Sequence, residues 1–188
     1  MEIKDIFKQP VAIIKLNENL NELLKYCLSI KKTQKGRKLS NSGGFQSNNI
    51  DLKTSNISSL IEKINLNSNT FLKKVFLSKH NISVINLWIN INEYKDYNIL
   101  HEHPNSILSG VFYVKAPENS GSIVFKNDSD IRYYMNYELT DDLNNYNASM
   151  WSFPALENNL YLFPSWLKHY VEPNLSNESR VSISFNLN

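Results

Sequence analysis

Cysteine is almost absent: Cys27 is the single one in 188 residues. That excludes an internal disulfide framework and a thiolate metal site, and makes a reducing cytoplasm the expected compartment. A charge excess is missing too. Twenty basic residues stand against 18 acidic ones, for a net +2, and no basic cluster stands out. The chain therefore carries no electrostatic signal for nucleic acid. No apolar run approaches the roughly 20 residues of a membrane span. The Met1 end lacks the basic, apolar, then small-residue order of a secretion signal. What is present is 41% hydrophobic and 12% aromatic residues, which excludes a wholly disordered chain. The length fits one domain, 1–188, able to bury a substantial core.

Patterning divides the chain into helices first and strands after. Ile3 to Leu16 reads as a short strand-like opening. Asn19 with Glu22 resembles a capping box, and Leu20, Leu23, Leu24, Cys27 and Leu28 follow at helical spacing, which predicts a helix over roughly 19–32. Cys27 falls on that stripe as a small core residue. Ile57, Leu60, Ile61 and Ile64 mark a second helix, and Phe71, Leu72, Val75 and Phe76 a short third one. From about residue 81 the period changes to two. One face of 81–92 carries Ser83, Ile85, Leu87, Ile89 and Ile91, and the other Val84, Asn86, Trp88, Asn90 and Asn92. The second combination suits the wall of a polar cavity. Further strands are expected at 109–114, 122–125, 131–137, 149–153, 160–163, 170–171 and 181–187, separated by Asn, Pro and Gly turns. That series predicts an all-β sandwich or barrel, with the helices packed outside it.

Chemistry concentrates in few places. His101 and His103 lie two apart, and Pro104 disfavours a helical His103, so both rings project to one side of an extended segment. That spacing suits a divalent metal. His169 is a third imidazole, and Arg180 follows eleven positions later. In 180–186, Arg180, Ser182, Ser184 and Asn186 share one face, and Val181, Ile183 and Phe185 the other. Arginine offers a planar fork for a carboxylate, and a neighbouring hydroxyl can add a bond. Glu102 is the alternative third ligand, although an extended backbone points it away from His101. Tyr113 and Asn98 are further candidate contacts for a co-substrate. Trp88 and Trp166 read as walls, and His80 as a surface residue.

The chain resembles the 2-oxoglutarate/Fe(II)-dependent oxygenase family of phages and marine bacteria, within the prolyl-hydroxylase-like superfamily. The resemblance rests on His101-Glu102-His103-Pro104 running into Ser109–Val114, on Phe163–Asn174 with His169, on Arg180–Asn186, and on the Ser40–Ser47 loop with Gly43-Gly44. It implies a double-stranded β-helix (jelly-roll) core over about 81–188, with helical support over about 1–80. It further implies Fe(II) on His101, His103 and His169, and 2-oxoglutarate anchored by Arg180 with Ser182, Tyr113 and Asn98. The expected activity is hydroxylation of an unidentified substrate with O2, releasing succinate and CO2. His103 departs from the wider pattern, which has a carboxylate there, so the metal site is one unit more positive. Ordinary imidazoles would release iron as pH falls through roughly 6. Two other readings stand beside this one: a three-histidine cupin-type dioxygenase without an oxo acid, and a non-enzymatic jelly-roll binding module. The substrate and the oligomeric state, a homodimer included, are open.

Overall fold

A computed structural model describes residues 1–4, 6–129 and 142–188. The strand expected over 131–137 lies outside the described residues. Strand β1 (Ala12–Lys15) is followed by helix α1 (Leu20–Thr33), β2 (Asn41–Ser42) and β3 (Phe45–Gln46). Helix α2 (Ser58–Phe76) precedes β4 (Val84–Asn92), β5 (Tyr97–His101), β6 (Leu108–Lys115) and β7 (Ser122–Lys126). After the undescribed stretch come β8 (Met150–Pro154), β9 (Asn159–Pro164), β10 (His169–Val171) and β11 (Arg180–Leu187).

Two antiparallel sheets face each other, in the orders β1-β9-β6-β11-β4-β3 and β2-β5-β10-β7-β8. This is the jelly-roll architecture, with the helices against the outer face of the six-stranded sheet. One apolar cluster joins helix residues Leu60, Ile64 and Leu72 to Leu87, Ile89, Phe112, Leu160, Ile183 and Phe185. A second, between the sheets, contains Val111, Tyr113, Ile123, Phe125, Tyr161 and Phe163. Side-chain alternation along β11 explains both: odd positions fill the first cluster while even positions turn inward.

Helix α1 starts where expected, with the Asn19 side chain accepting a hydrogen bond from the Glu22 amide at 3.4 Å. Cys27 is fully buried, and His80 is exposed.

Three expectations need correction. The second and third helices are one helix, because the Asn-rich middle is held by tertiary bonds. Asn65 Oδ1 accepts from the Val84 amide at 2.9 Å, and Asn69 exchanges two bonds with the Ile82 backbone at 2.8 and 2.9 Å. These ties outweigh the weak helix propensity of asparagine. Ile85 leaves the apolar face and is exposed, because Asn186 pairs with Asn86 and Leu187 with Val84. The unpaired residue is a β-bulge, which resets the alternation. The amino-terminal part also supplies sheet: β1 extends β9, and the Ser40–Ser47 segment carries β2 and β3 onto the edges of different sheets.

Candidate metal centre

The site is built from strand register. Antiparallel pairing of β10 with β5 sets His169 directly opposite His101. His103 lies just past the end of β5, and its amide donates to the Ser165 carbonyl at 2.9 Å. The turn that precedes His169 thus holds the chain carrying His103. The result is a cluster whose candidate ligand nitrogens all lie within 4.8 Å of one another. Ring centroids are 4.4 Å apart for His101 and His169, 5.0 Å for His101 and His103, and 5.2 Å for His103 and His169.

Local carbonyls orient two of the rings. His101 Nδ1 is 2.7 Å from the Ile99 carbonyl, and His169 Nδ1 is 2.9 Å from that of Leu167. A carbonyl only accepts, so Nδ1 carries the proton in each ring and Nε2 keeps the lone pair. Burial lowers the pKa of all three histidines, and takes His103 down to about 4 with a further contribution from His101. Neutral rings are the ligand form. Imidazole donors fit iron, nickel, copper or zinc, so the cluster suits a divalent transition metal. Glu102 is exposed and outside the cluster, and its charge acts on Lys168 instead.

The histidines share one cavity with Arg180, Ser182, Tyr113 and Asn98. Arg180 is 1% exposed. Its Nη1 donates to the carbonyls of Ser120 and, at 3.0 Å, Glu172. Gly121 makes this possible: at φ +85°, a Cβ there would meet the Glu172 oxygen at 2.8 Å and Nη1 at 3.0 Å. Nη2 is buried with no partner, and so is the Tyr113 hydroxyl. Burial raises the tyrosine's pKa, so the hydroxyl keeps its proton. A free guanidinium edge beside a free hydroxyl fits a carboxylate. Central placement of β11, between β6 and β4, means its polar face is cavity wall and not a solvated edge.

Asn98 Nδ2 donates to Ser40 Oγ at 3.2 Å, which ties the Ser40–Ser47 segment to the cavity. Trp88, Asn90 and Asn92 also line it, as their shared strand face suggested, with the Trp88 ring 5.7 Å from that of His103. Trp166 is not a wall. It sits on the outer turn, 56% exposed and edge-on to Phe76. Ser184, on the polar face of 180–186, and Ser40, from the Ser40–Ser47 loop, line the cavity as well, although neither has a role of its own in the sequence reading.

A jelly roll whose inner face gathers three imidazoles and a buried arginine defines the class of mononuclear non-haem metal proteins. The family model described as "Putative 2OG-Fe(II) oxygenase" matches residues 86–186, and the chain belongs to that family. Membership brings Fe(II) as cofactor, with 2-oxoglutarate and O2 as co-substrates. Among curated proteins there is no match. Solved structures that the chain resembles include a Pseudomonas putida prolyl-4-hydroxylase. It shows 11% identity and a TM-score of 0.66, over 95% of this chain and 92% of that one. The viral collagen prolyl hydroxylase of Paramecium bursaria Chlorella virus-1, solved with 2-oxoglutarate, gives 12% and 0.60 over 94% of each chain. HygX from Streptomyces hygroscopicus, with nickel and 2-oxoglutarate bound, gives 9% and 0.64 over 95% and 82%. At these identities the likeness is one of fold.

Proposed function

We propose that the protein is an Fe(II)- and 2-oxoglutarate-dependent hydroxylase. It consumes O2 and 2-oxoglutarate, releases succinate and CO2, and leaves one oxygen atom in its product. The observation that carries this reading is the unpartnered Nη2 of buried Arg180 in the same cavity as three clustered imidazoles. His101, His103 and His169 would hold the metal. Iron, when bound, supplies the redox chemistry that couples decarboxylation of 2-oxoglutarate to oxidation of a C–H bond.

The remaining work belongs to the chain. Arg180 and Tyr113 take the distal carboxylate of 2-oxoglutarate, one by a charge-assisted bond from Nη2 and the other by a hydroxyl that burial keeps protonated. Ser182, paired in register with both Tyr113 and Asn90, offers the next hydroxyl along that wall. Asn98 presents an amide near His101, steadied by Ser40. Val111, Ile123, Phe163 and Val171 give the cavity its apolar lining. That lining limits water and strengthens the electrostatic contacts inside.

A cupin-type dioxygenase without an oxo acid would leave Nη2 and the Tyr113 hydroxyl unmatched. Anaerobic titration of the protein with Fe(II) and 2-oxoglutarate tests the reading. A visible metal-to-ligand charge-transfer band is expected, and its absence in iron-loaded protein would refute an oxo-acid enzyme.

A further inference from the structure

His103 stands where a carboxylate would supply the metal with a negative charge, and this inference rests on the function just proposed. Among the described residues, no aspartate or glutamate lines the cavity. Imidazoles bind as neutral donors, so a dication held by three of them keeps both its charges. Burial lowers the pKa of Arg180, and Tyr113, Glu172 and Asp96 offset that only in part, so its charge too calls for a partner. Of the two carboxylates of 2-oxoglutarate, one is spoken for by Arg180, which leaves one for the metal. A single positive charge then remains unmatched in a buried place, where an uncompensated charge is costly.

The wall beside His103 is equipped to receive a counter-charge. Trp88 and Ser184 are direct cross-strand partners, as are Asn90 and Ser182. Asn90 is buried and lines the cavity; its Nδ2 donates to Ser184 Oγ at 3.0 Å, while its Oδ1 has no partner. Ser184 Oγ accepts that bond, so its hydroxyl proton remains to be donated within the cavity that Ser184 lines. An anion is the ligand that both the charge deficit and this wall would favour.

We propose that the cavity binds a second anion together with 2-oxoglutarate, and that this anion is a carboxylate of the prime substrate, seated against Trp88, Asn90 and Ser184. The substrate class is therefore a carboxylic acid. A free inorganic anion shares the charge, and the experiment separates the two sources.

Protein loaded with Co(II) is first saturated with 2-oxoglutarate, then titrated with azide, with acetate and with acetamide. Cobalt's visible bands and calorimetry report binding. Acetate is expected to bind with 2-oxoglutarate in place, and acetamide, its neutral counterpart, is not. His103→Asp, which adds one negative charge, should weaken acetate about tenfold or more. If that variant loses the metal, Asn90→Asp adds the same charge to the wall with all three histidines intact. Azide binding without acetate would overturn the substrate assignment in favour of a free anion. Indifference to both anions, with 2-oxoglutarate bound, would overturn the proposal alone. Failure of 2-oxoglutarate to bind at the first step would overturn the function on which it rests.

Discussion

Arg180 gives the sharpest test of the site, because its two nitrogens have different neighbours. Nη1 is committed to the Ser120 and Glu172 carbonyls, whereas Nη2 is buried and free. Replacing Arg180 by alanine therefore does two things: it strips two carbonyls of a donor and removes the carboxylate contact. The first costs stability and the second costs affinity. Comparing 2-oxoglutarate with 2-oxobutyrate, which lacks the distal carboxylate, separates them. Loss of a buried, charge-assisted partner is worth about 2–5 kcal/mol. Wild-type protein should thus prefer 2-oxoglutarate by about 30-fold to several thousand-fold. Arg180→Ala should bind the two acids almost equally, with its metal content retained. Arg180→Lys should also lose most of the preference, since a point charge cannot reach two carbonyls and a carboxylate at once. Calorimetry on metal-loaded, anaerobic protein measures all six affinities. A variant that still prefers 2-oxoglutarate by the wild-type factor would refute the assignment, whatever its stability.

Other perturbations test the rest of the site. Metal analysis of folded variants should show iron lost from His103→Ala as severely as from His101→Ala or His169→Ala, and kept in Glu102→Ala; the reverse pattern would make Glu102 the ligand. Acid should destabilise the apo-protein over a defined window. The unfolded chain takes up protons below about pH 6.5, while burial holds His103 neutral to about 4. Stability is therefore flat above that window and lost as pH falls through it, by roughly 3 kcal/mol for His103 alone. Urea midpoints across this range should fall less steeply in His103→Gln. Iron should accordingly survive below the pH near 6 at which ordinary imidazoles would let go. Between β2 and β3, Gly43→Ala should cost about 2 kcal/mol or more in urea unfolding, since Gly43 has φ +73° and a Cβ would lie 1.9 Å from Asp96 Oδ1. Asp96→Ala should relieve part of that cost.

Much of the site was legible because it lies on strands, where spacing and direction are coupled. Two histidines at i and i+2 before a proline, and the alternating 180–186 run, could be placed on faces without coordinates. The resemblance of the flanking motifs then supplied the jelly roll. What escaped was set by contacts distant in sequence. Nothing local says that Asn65 and Asn69 will bond to the β4 backbone and keep α2 whole. The bulge at Ile85 exists only through its pairing with β11. Trp166 shares its motif with His169, yet the turn geometry sends the ring outward to Phe76. The two partners of Arg180 Nη1 come from separate loops, so the sequence could suggest a carboxylate clamp but not how it is held.

Strand β11 has a consequence for how this protein tolerates change. Val181, Ile183, Phe185 and Leu187 are fully buried among the helices, while Arg180, Ser182 and Ser184 line the cavity. Neighbouring letters thus answer to different demands. A saturation scan along the strand should split by parity: odd positions would register as loss of soluble protein, Ser182 and Ser184 as loss of turnover in protein that still accumulates, and Arg180, which also holds two loop carbonyls, as both. Substitutions at Ser182 and Ser184 can explore new substrates without disturbing the apolar face. A one-residue deletion has no such freedom, because it exchanges the two sets and sends arginine into the apolar core.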